Sequence, residues 1–325
     1  METKTVLVTG IGGNVGQGVL RNIRDLNYTI YLIGTDIASF TAGNHLCDIT
    51  YQVPYSYDAS YVTTIAEIVD KLNVDLILPT TDYEVYYLSL HKDKIKAKIA
   101  VSESATAKIY LDKYLTYKHH DSLQIAFAQT WLPCQYKNEV SEIIVKPREG
   151  RGSRGIEINP KNPTAFSDDY LIQPLHKGKE ITTAFYVKKD GTLHGLFTME
   201  RELTNGATSK SKTCKEYDAV LESILLKMIT NSKLRGSINL QSIVEEDGTI
   251  IPFEVNCRIS GTNSIRHNLG FQDVKYTLQE YLYQQEPDVV NVIEGIATRL
   301  LYDVIYPNST NEAELNNNSS NFKIY

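Results

Sequence analysis

The sequence predicts two kinds of architecture in succession: an α/β domain with a parallel sheet, then an α+β region built on antiparallel strands. In the first hundred residues strand patterns alternate with helical patterns, and repeated strand–helix units favour a parallel sheet covered by helices. Beyond residue 140 pairs of strand patterns follow one another across short turns. Two of these turns carry an Asp-Gly pair, which is typical of tight hairpins.

The first region is predicted to cover residues 1–105. Apolar runs predict strands at 6–8, 30–33, 76–78 and 99–101, and helical periodicity predicts helices at 15–26, 61–72 and 85–91. This order of elements is that of a Rossmann-like domain.

The second region contains three predicted hairpins and two predicted helices. The hairpins pair 142–146 with 155–158, 181–188 with 192–200, and 237–244 with 250–258, and the helices cover 107–121 and 217–230. Asp190-Gly191 and Asp247-Gly248 mark two of the turns. The segment 308–321 is rich in Asn and Ser, and we expect a loose tail there.

Composition excludes several classes of function. At 325 residues, the chain is long enough for two or three packed lobes, and its net charge of -6 argues against a nucleic-acid partner. Its four cysteines are scattered without a CxxC pair, which disfavours a zinc site or a disulfide framework and favours a reducing compartment. No signal peptide and no apolar run of about 18 residues is present, so we expect a cytoplasmic protein without a membrane segment.

A glycine-rich loop, Gly10 to Gly16, follows the first strand. Glycines between a strand and a helix allow a tight turn, and the N–H groups of a helix start favour an anion. Asp36 follows the second strand, where a ribose-binding acid would lie. One interpretation is a dinucleotide site, as in an NAD(P)-dependent nucleotide-sugar epimerase or reductase. The other is a Rossmann-like lobe that binds no nucleotide, or binds a substrate instead.

A second glycine-rich loop, residues 148–155, follows the strand that ends in Lys146 and Pro147. Between two antiparallel strands such a loop can fold over phosphates and offer N–H donors, with Lys146 at its base as a point charge. The alternative is a mobile hairpin tip. Lys113 could supply a second phosphate charge or could lie on a helix surface.

The hairpin around Asp247-Gly248 collects oxygen-bearing side chains. With a two-residue turn, Gln241 lies opposite Glu254, and Asn239 lies opposite Asn256. Side chains alternate along a strand, so these four residues share one face. Amide and carboxylate oxygens are ligands suited to Mg²⁺.

The residues between them, Leu240, Val255 and Cys257, are predicted to point into a core. Arg258, at the rim of the polar face, suits a phosphoryl group. The alternative is an ordinary solvent-facing sheet surface. Pro252 cannot donate to the ladder and predicts a bulge nearby. Around Asp190-Gly191, the same pairing rule places Glu180 opposite Arg201, as a cross-strand ion pair.

These segments, in this order, resemble the ATP-grasp superfamily, in particular the synthetase halves of the carbamoyl phosphate synthase large subunit and related carboxylate-amine ligases. The resemblance covers about residues 1–305. It implies an α/β pre-ATP-grasp (Rossmann-like) domain at 1–105 and α+β ATP-grasp domains after it. These are a small lobe with a phosphate lid at 106–175 and a C-terminal lobe with the metal site at 176–306, before the tail at 307–325.

The resemblance also implies roles for individual residues. Lys113 and Lys146 correspond to the ATP lysines, and Glu180 to the ribose-binding acid. The lid residues are Glu149, Gly150, Arg151, Gly152 and Ser153. The adenine hinge is Gln173, Pro174 and Leu175, with Gln173 where an acid is common. The magnesium ligands are Gln241, Glu254 and Asn256. Arg258 and Lys146 would support phosphoryl transfer, and Cys257 replaces the usual proline or small residue beside Arg258.

The implied activity is an ATP- and Mg²⁺-dependent ligation, with Mn²⁺ as a possible substitute, of a small carboxylate to an amine through an acyl phosphate. A single synthetase unit without a glutaminase argues against carbamoyl phosphate synthesis itself. Candidate substrate residues are Arg201, Arg266, Asp82 and Glu84, although Arg266 could be an ordinary surface residue and the two acids could equally cap the helix that follows them. A homodimer is possible, and a non-catalytic ATP-binding regulator is the remaining alternative.

Overall fold

The first domain is built on a five-stranded parallel sheet. The computed structural model describes residues 3–150, 152, 154–315 and 321–325 of the chain. The sheet has the order β3-β2-β1-β4-β5. Its strands are β1 Lys4–Val8, β2 Ile30–Asp36, β3 Ile49–Gln52, β4 Leu76–Leu78 and β5 Lys98–Ile99. Its helices are α1 Asn14–Asp25, α2 Tyr61–Leu72 and α3 Asp82–Leu90. The predicted strand–helix alternation is confirmed, and β3 is a strand that the sequence patterns missed.

Two helices, not one, lead into the second region. We expected a single helix at 107–121, but the structure has α4 Ser104–Leu111 and α5 Lys113–Ser122. The break lies at Asp112, whose carboxylate accepts hydrogen bonds from the N–H groups of Tyr114 and Leu115. An aspartate that caps a helix start satisfies donors that the helix itself leaves unpaired. The break therefore places Lys113 at the first position of α5.

A small three-stranded sheet carries the second glycine-rich loop. Its order is β7-β6-β8, and all pairs are antiparallel. The strands are β6 Ile143–Pro147, β7 Glu157–Ile158 and β8 Tyr170–Pro174. The predicted pairing of 142–146 with 155–158 is confirmed.

The largest sheet has six antiparallel strands in the order β13-β12-β9-β10-β11-β14. The strands are β9 Lys179–Val187, β10 Leu193–Thr204, β11 Ala207–Thr213, β12 Gly236–Val244, β13 Ile250–Asn256 and β14 Ile296–Thr298. Helix α6, Asp218–Asn231, packs on one face through Leu221 and Leu225. Leu240, Val255 and Cys257 lie in the same buried cluster, as predicted.

The first domain contacts the chain that follows β13. This chain forms α7 Asn263–Asn268 and α8 Asp273–Thr277, which continues as one π-helical turn, Leu278–Leu282. The amide of Asn263 accepts from Asn22 and donates to the carbonyl of Val15. Gly18 permits this approach, because a Cβ there would lie 2.4 Å from Asn263 Oδ1. The side-chain face of α1 is thus used for domain packing.

The C-terminal segment is more ordered than we expected. Two short strands, β15 Val304–Ile305 and β16 Lys323–Ile324, pair with each other. Phe322 stacks edge-on against His45 of the first domain, and Leu315 is buried. The loose tail predicted at 308–321 thus contains at least one packed residue, Leu315. No helix among the described residues is long and apolar enough to cross a bilayer.

Candidate active site

The polar face of the β12–β13 hairpin has the predicted register. Gln241 pairs with Glu254, and Asn239 pairs with Asn256. The turn, however, is longer than two residues, since Glu245 and Thr249 still pair across it. A bulge that leaves Phe253 without a partner then restores the register. The longer turn shifts the pairing by one residue, and the bulge shifts it back by one residue. The pairs predicted from a two-residue turn are therefore correct, although the turn itself is longer.

The bulge positions Lys146. The Nζ of Lys146 lies 3.4 Å from the carbonyl oxygen of Phe253 and 4.9 Å from the centre of its ring. Lys146 is 5% exposed, and its burial lowers its pKa from 10.5 to about 7 against the raising effect of Glu254. The lysine is therefore close to its titration point at neutral pH. An incoming phosphate would favour its charged form.

Lys113 contacts Glu254. Its Nζ is 3.9 Å from Glu254 Oε2 and donates to the carbonyl of Gly150 at 3.3 Å. Burial raises the pKa of Glu254, but the nearby charges of Lys113 and Lys146 outweigh it and the net shift is downward. Glu254 is thus an ionised carboxylate held between two lysines.

A chain of hydrogen bonds orders the polar face. Arg201 donates to Gln241 Oε1, and Gln241 Nε2 donates to Asn256 Oδ1 at 3.0 Å. Asn256 Nδ2 then donates to Glu254 Oε1 at 3.1 Å. The three predicted metal ligands are therefore in mutual contact, which is more than a solvent-facing sheet surface requires.

This donor set suits a hard divalent cation. The described residues contain no group of three or more His, Cys, Asp or Glu side chains, so a zinc-type site is not present among them. One carboxylate beside neutral amide oxygens is the kind of partial ligand shell that Mg²⁺ completes with phosphate and water. The residues present thus fit a magnesium ion that arrives with a nucleotide.

Arg258 is held from the first domain. Its Nε and Nη2 each lie 2.9 Å from Asp82 Oδ2, at the start of α3. Both side chains are mostly buried, with 13% and 18% exposed. A cavity opens beside this pair, and it is lined by Thr81, Asp82, Lys113, Gly150, Glu254 and Asn256. Residues from the first domain, from α5, from the predicted lid and from the β12–β13 hairpin thus meet at one cavity.

Comparisons with protein families give two matches along the chain. Residues 6–101 match the family described as "PylC-like, N-terminal domain", and residues 110–262 match the family described as "ATP-grasp domain". Residues 110–262 of the chain therefore form an ATP-grasp domain. The predicted family and fold class are confirmed. A comparison with curated proteins gives no match.

Solved structures share the fold of this ATP-grasp protein across most of its length. N5-carboxyaminoimidazole synthetase from Staphylococcus aureus, complexed with ADP, is 13% identical with a TM-score of 0.75, covering 92% of this chain and 82% of that one. L-amino acid ligase from Bacillus licheniformis is 12% identical with a TM-score of 0.69, covering 86% and 74%. The biotin carboxylase domain dimer of Hydrogenobacter thermophilus 2-oxoglutarate carboxylase, with MgADP and bicarbonate, is 16% identical with a TM-score of 0.68, covering 88% and 72%.

In the predicted adenine hinge, Gln173 to Leu175, some polar groups already form hydrogen bonds within the protein. Gln173 is buried, and its Nε2 donates to Thr130 Oγ1 at 2.9 Å. The strand register places Gln173 on the face of the small sheet that carries Lys146. Pro174 ends β8, and the N–H of Leu175 donates to a carbonyl of the small lobe at 2.9 Å. The adenine contacts assigned to this hinge remain a prediction.

The lid begins with two ion pairs. Arg148 binds Asp112 through two of its nitrogens, and Glu149 lies 3.0 Å from Lys108 Nζ. Gly152 contacts the turn at Gly206, where a Cβ would lie 2.5 Å from the Gly152 carbonyl oxygen. The predicted lid residues Arg151 and Ser153 lie outside the described residues.

In the glycine loop of the first domain, a backbone N–H and the acid that would bind a dinucleotide bind each other. The N–H of Gly12 donates to Asp36 Oδ2 at 2.8 Å. A dinucleotide would need this N–H for its phosphates and this carboxylate for its ribose. The N-cap of α1 is Gly13, and a Cβ at Gly16 would lie 2.4 Å from the Gly10 carbonyl oxygen. These glycines therefore serve close backbone packing. Of the two interpretations, the geometry favours a Rossmann-like lobe that binds no dinucleotide.

Two candidate substrate residues have structural roles instead. Glu84 forms a capping box with Thr81 at the start of α3 and accepts from Thr9 Oγ1 at 2.7 Å. It is 8% exposed. Arg266 is fully buried and binds Asp273, Ser260 and Thr262. The expectation that Arg266 holds a substrate carboxylate is wrong, because the carboxylate it holds belongs to the protein.

Replacement of Arg266 by methionine is expected to destabilise the fold by about 3–5 kcal/mol, because Asp273 would remain as a buried charge without its partner. The measurement is the free energy of unfolding in urea. The exposed pair Lys177–Glu142 supplies the control, since Lys177→Met removes an ion pair whose side chains are 68% and 49% exposed. A loss below about 1 kcal/mol for Arg266→Met would contradict the structural role.

Sequence reasoning missed three residues that shape the site. Asp112 was not singled out, although an aspartate before a helix start is a recognisable capping signal. Phe253 was not singled out, although the adjacent Pro252 indicated the bulge that exposes its carbonyl. Thr130, which holds Gln173, carries no signal in the sequence because the two residues lie 43 positions apart.

Proposed function

We propose that this ATP-grasp protein is an ATP-dependent carboxylate–amine ligase that forms an amide through an acyl phosphate. The observation that carries the proposal is the contact of Lys113 with Glu254 at a cavity that Asn256 also lines, with the charge of Lys146 acting on the same carboxylate. Two lysines and one ionised carboxylate on a shared face can hold the phosphates of a nucleotide together with a divalent cation.

Residues of both lobes would bind the nucleotide. Lys146 and Lys113 would bind the phosphates, and the segment Gln173 to Leu175 would border the adenine. Glu180 would accept a ribose hydroxyl through Oε2, since its hydrogen bonds from Arg201 go to Oε1. Gln241, Glu254 and Asn256 would hold Mg²⁺, or Mn²⁺ in its place. When bound, the cation neutralises phosphate charge and orients the γ-phosphate.

The proposed reaction has two steps, formation of an acyl phosphate and its attack by an amine. A substrate carboxylate oxygen attacks the γ-phosphorus, the bond to the β-phosphate oxygen breaks, and ADP leaves with that electron pair. An amine then attacks the acyl carbon, inorganic phosphate leaves, and the amine loses a proton to give the amide. Lys113, Lys146 and Arg258 act by position and charge. Seating of the lid against Lys113 and Gly206 would keep water from the acyl phosphate.

The partners proposed are a small carboxylate and a small amine. Asp82 lines the cavity and pairs with Arg258, so it could meet the amine only if that pair opens. A cytoplasmic location agrees with the four cysteines, which are all free. A homodimer is also proposed, because one related structure is described as a dimer.

Thermal unfolding with and without ligands tests the proposed function. A ligand that binds only the native state raises the apparent melting temperature. We expect a rise with Mg²⁺-ATP, a smaller rise with ATP and EDTA, and no rise with NADPH. ADP release would then be measured against panels of carboxylates and amines. A rise with NADPH and none with Mg²⁺-ATP would overturn the proposal in favour of a dehydrogenase-type site. Mg²⁺-ATP binding without ADP release on any panel would favour a regulator.

A further inference from the structure

Arg201 connects two groups of the site that lie on different strands. It projects from β10 across β9, where its Nε and Nη2 donate to Glu180 Oε1, the former at 3.0 Å. The same Nη2 reaches β12 and donates to Gln241 Oε1. The Arg201 side chain is 13% exposed, so the guanidinium is held inside the site and not at its rim.

The guanidinium sets the direction of the hydrogen bonds that follow it. Because an arginine can only donate, Gln241 must turn its oxygen toward Arg201 and its amide nitrogen toward Asn256. Asn256 must then donate to Glu254. The positive end of this chain is Arg201, and the negative end is the carboxylate proposed to hold the metal.

Arg201 lies between the proposed ribose-binding residue and the proposed metal-binding residues, where the phosphates of a nucleotide would lie. In the proposed function, Glu180 borders the ribose, and Glu254 with Asn256 borders the metal. The phosphates of a nucleotide connect these two ends. Arg201 bonds to Glu180 at one end and, through Gln241, to the metal face at the other. Its guanidinium therefore lies alongside the segment where the phosphate charge accumulates.

We propose that Arg201 is a third phosphate-binding cation of the nucleotide site, built in beside Lys113 and Lys146. This inference rests on the proposed function, and it moves Arg201 from the acceptor region, where the resemblance suggested it, to the nucleotide. The ligand chemistry is that of a nucleoside di- or triphosphate.

The state of the two lysines supports a permanently charged partner. Burial lowers the pKa of Lys146 to about 7, so this lysine is only partly charged before a nucleotide binds. Lys113 already faces Glu254 and the carbonyl of Gly150. An arginine stays protonated at every physiological pH and offers a planar fork to phosphate oxygens.

A phosphate-binding cation and a merely structural arginine give opposite results in one pair of measurements. Arg201→Met would leave the Glu180 carboxylate without its counter-charge. An uncompensated carboxylate repels phosphate and attracts a divalent cation. We expect the affinity for ADP to fall by roughly 10- to 100-fold, because a charge-assisted hydrogen bond to phosphate is lost. We expect the affinity of the nucleotide-free protein for Mn²⁺ to rise by about three-fold or more.

Two further variants control for charge and for position. Arg201→Lys keeps the charge and loses the fork, so its ADP affinity should fall less than that of Arg201→Met, and its Mn²⁺ affinity should stay at the wild-type value. Lys179→Met removes a lysine from the neighbouring position of β9, where it pairs with Glu200 of β10. Adjacent residues point to opposite faces of a sheet, so this variant should change neither affinity.

The experiment uses ADP, measured by calorimetry, and Mn²⁺, measured by the paramagnetic resonance signal of the free ion. Weaker ADP binding with tighter Mn²⁺ binding in Arg201→Met supports the proposal. A fall in both affinities would assign Arg201 a structural role, and an unchanged ADP affinity would remove it from the phosphate path. Either result overturns the inference alone, whereas failure of the wild-type protein to bind ADP would also overturn the proposed function.

Discussion

Replacement of Glu254 by glutamine is expected to abolish ATP turnover while the protein stays folded. Glu254 is the carboxylate among the three predicted metal ligands, and it lies between Lys113 and Lys146. Glutamine keeps the shape but removes the negative charge that favours a divalent cation over bulk water. We expect ADP release to fall by at least about 100-fold, since even an outer-shell change at a metal site costs roughly 10- to 100-fold. The measurement is ADP release at saturating Mg²⁺.

Glu246, on the exposed loop of the same hairpin, supplies the matched control. Glu246→Gln removes the same charge from the same hairpin, away from the cavity, and should leave ADP release unchanged. The melting temperature of each variant shows whether the fold is retained. Full ADP release in Glu254→Gln would sink the assignment of the metal face.

Replacement of Lys146 by methionine is expected to have an effect of similar size. Methionine preserves most of the buried stem, so the packing of β6 is largely retained, although the contacts of Nζ with Phe253 are lost. The charge facing the phosphates is lost, and we expect ADP release to fall by at least about 100-fold. Lys177→Met, an exposed lysine beyond the hinge, is the control that should leave ADP release unchanged. Wild-type turnover in Lys146→Met would contradict the assignment.

The pKa of Lys146 adds a prediction about pH. The folded protein has a pKa of about 7 at this lysine against 10.5 ordinarily, so between these values the unfolded chain holds a proton that the folded protein has released. The contribution of Lys146 to the free energy of unfolding therefore rises with pH across that window. Phosphate binding favours the charged lysine, so ADP should bind with proton uptake above pH 7, and its affinity should fall as the pH rises.

Calorimetry in two buffers with different ionisation enthalpies measures this proton uptake. Lys146→Arg keeps a group that is charged at every pH in the range, so the uptake should disappear. An uptake of the same size in Lys146→Arg would assign the proton to another group.

The sequence was most informative where chemistry and local geometry coincide. The alternation of strands and helices predicted the parallel sheet, and the Asp-Gly turns predicted the hairpins of the large sheet. The face shared by Gln241, Glu254 and Asn256 followed from the two-residue period of a strand. The pairing was correct because the longer turn and the bulge at Phe253 displace the register in opposite directions.

The sequence was least informative about partners distant in the chain. Asp82 was placed near a substrate, but it lies 176 positions from Arg258, which it binds. Arg266 was also a candidate substrate residue, and the structure shows it paired with Asp273 within the core. Arg148 likewise binds Asp112 across 36 positions, and no local pattern indicated that ion pair.

Local patterns in the amino-acid sequence were therefore enough to predict the order of elements, the polar face of the β12–β13 hairpin and the family. These features depend on the periodicity of one strand, on one turn or on one run of residues. The charge state of Lys146, the route from Arg201 to Glu254 and the pairing of Arg258 depended on packing. Burial and hydrogen-bond partners are set by which elements meet in space, and a linear pattern carries no distance between strands that are not consecutive.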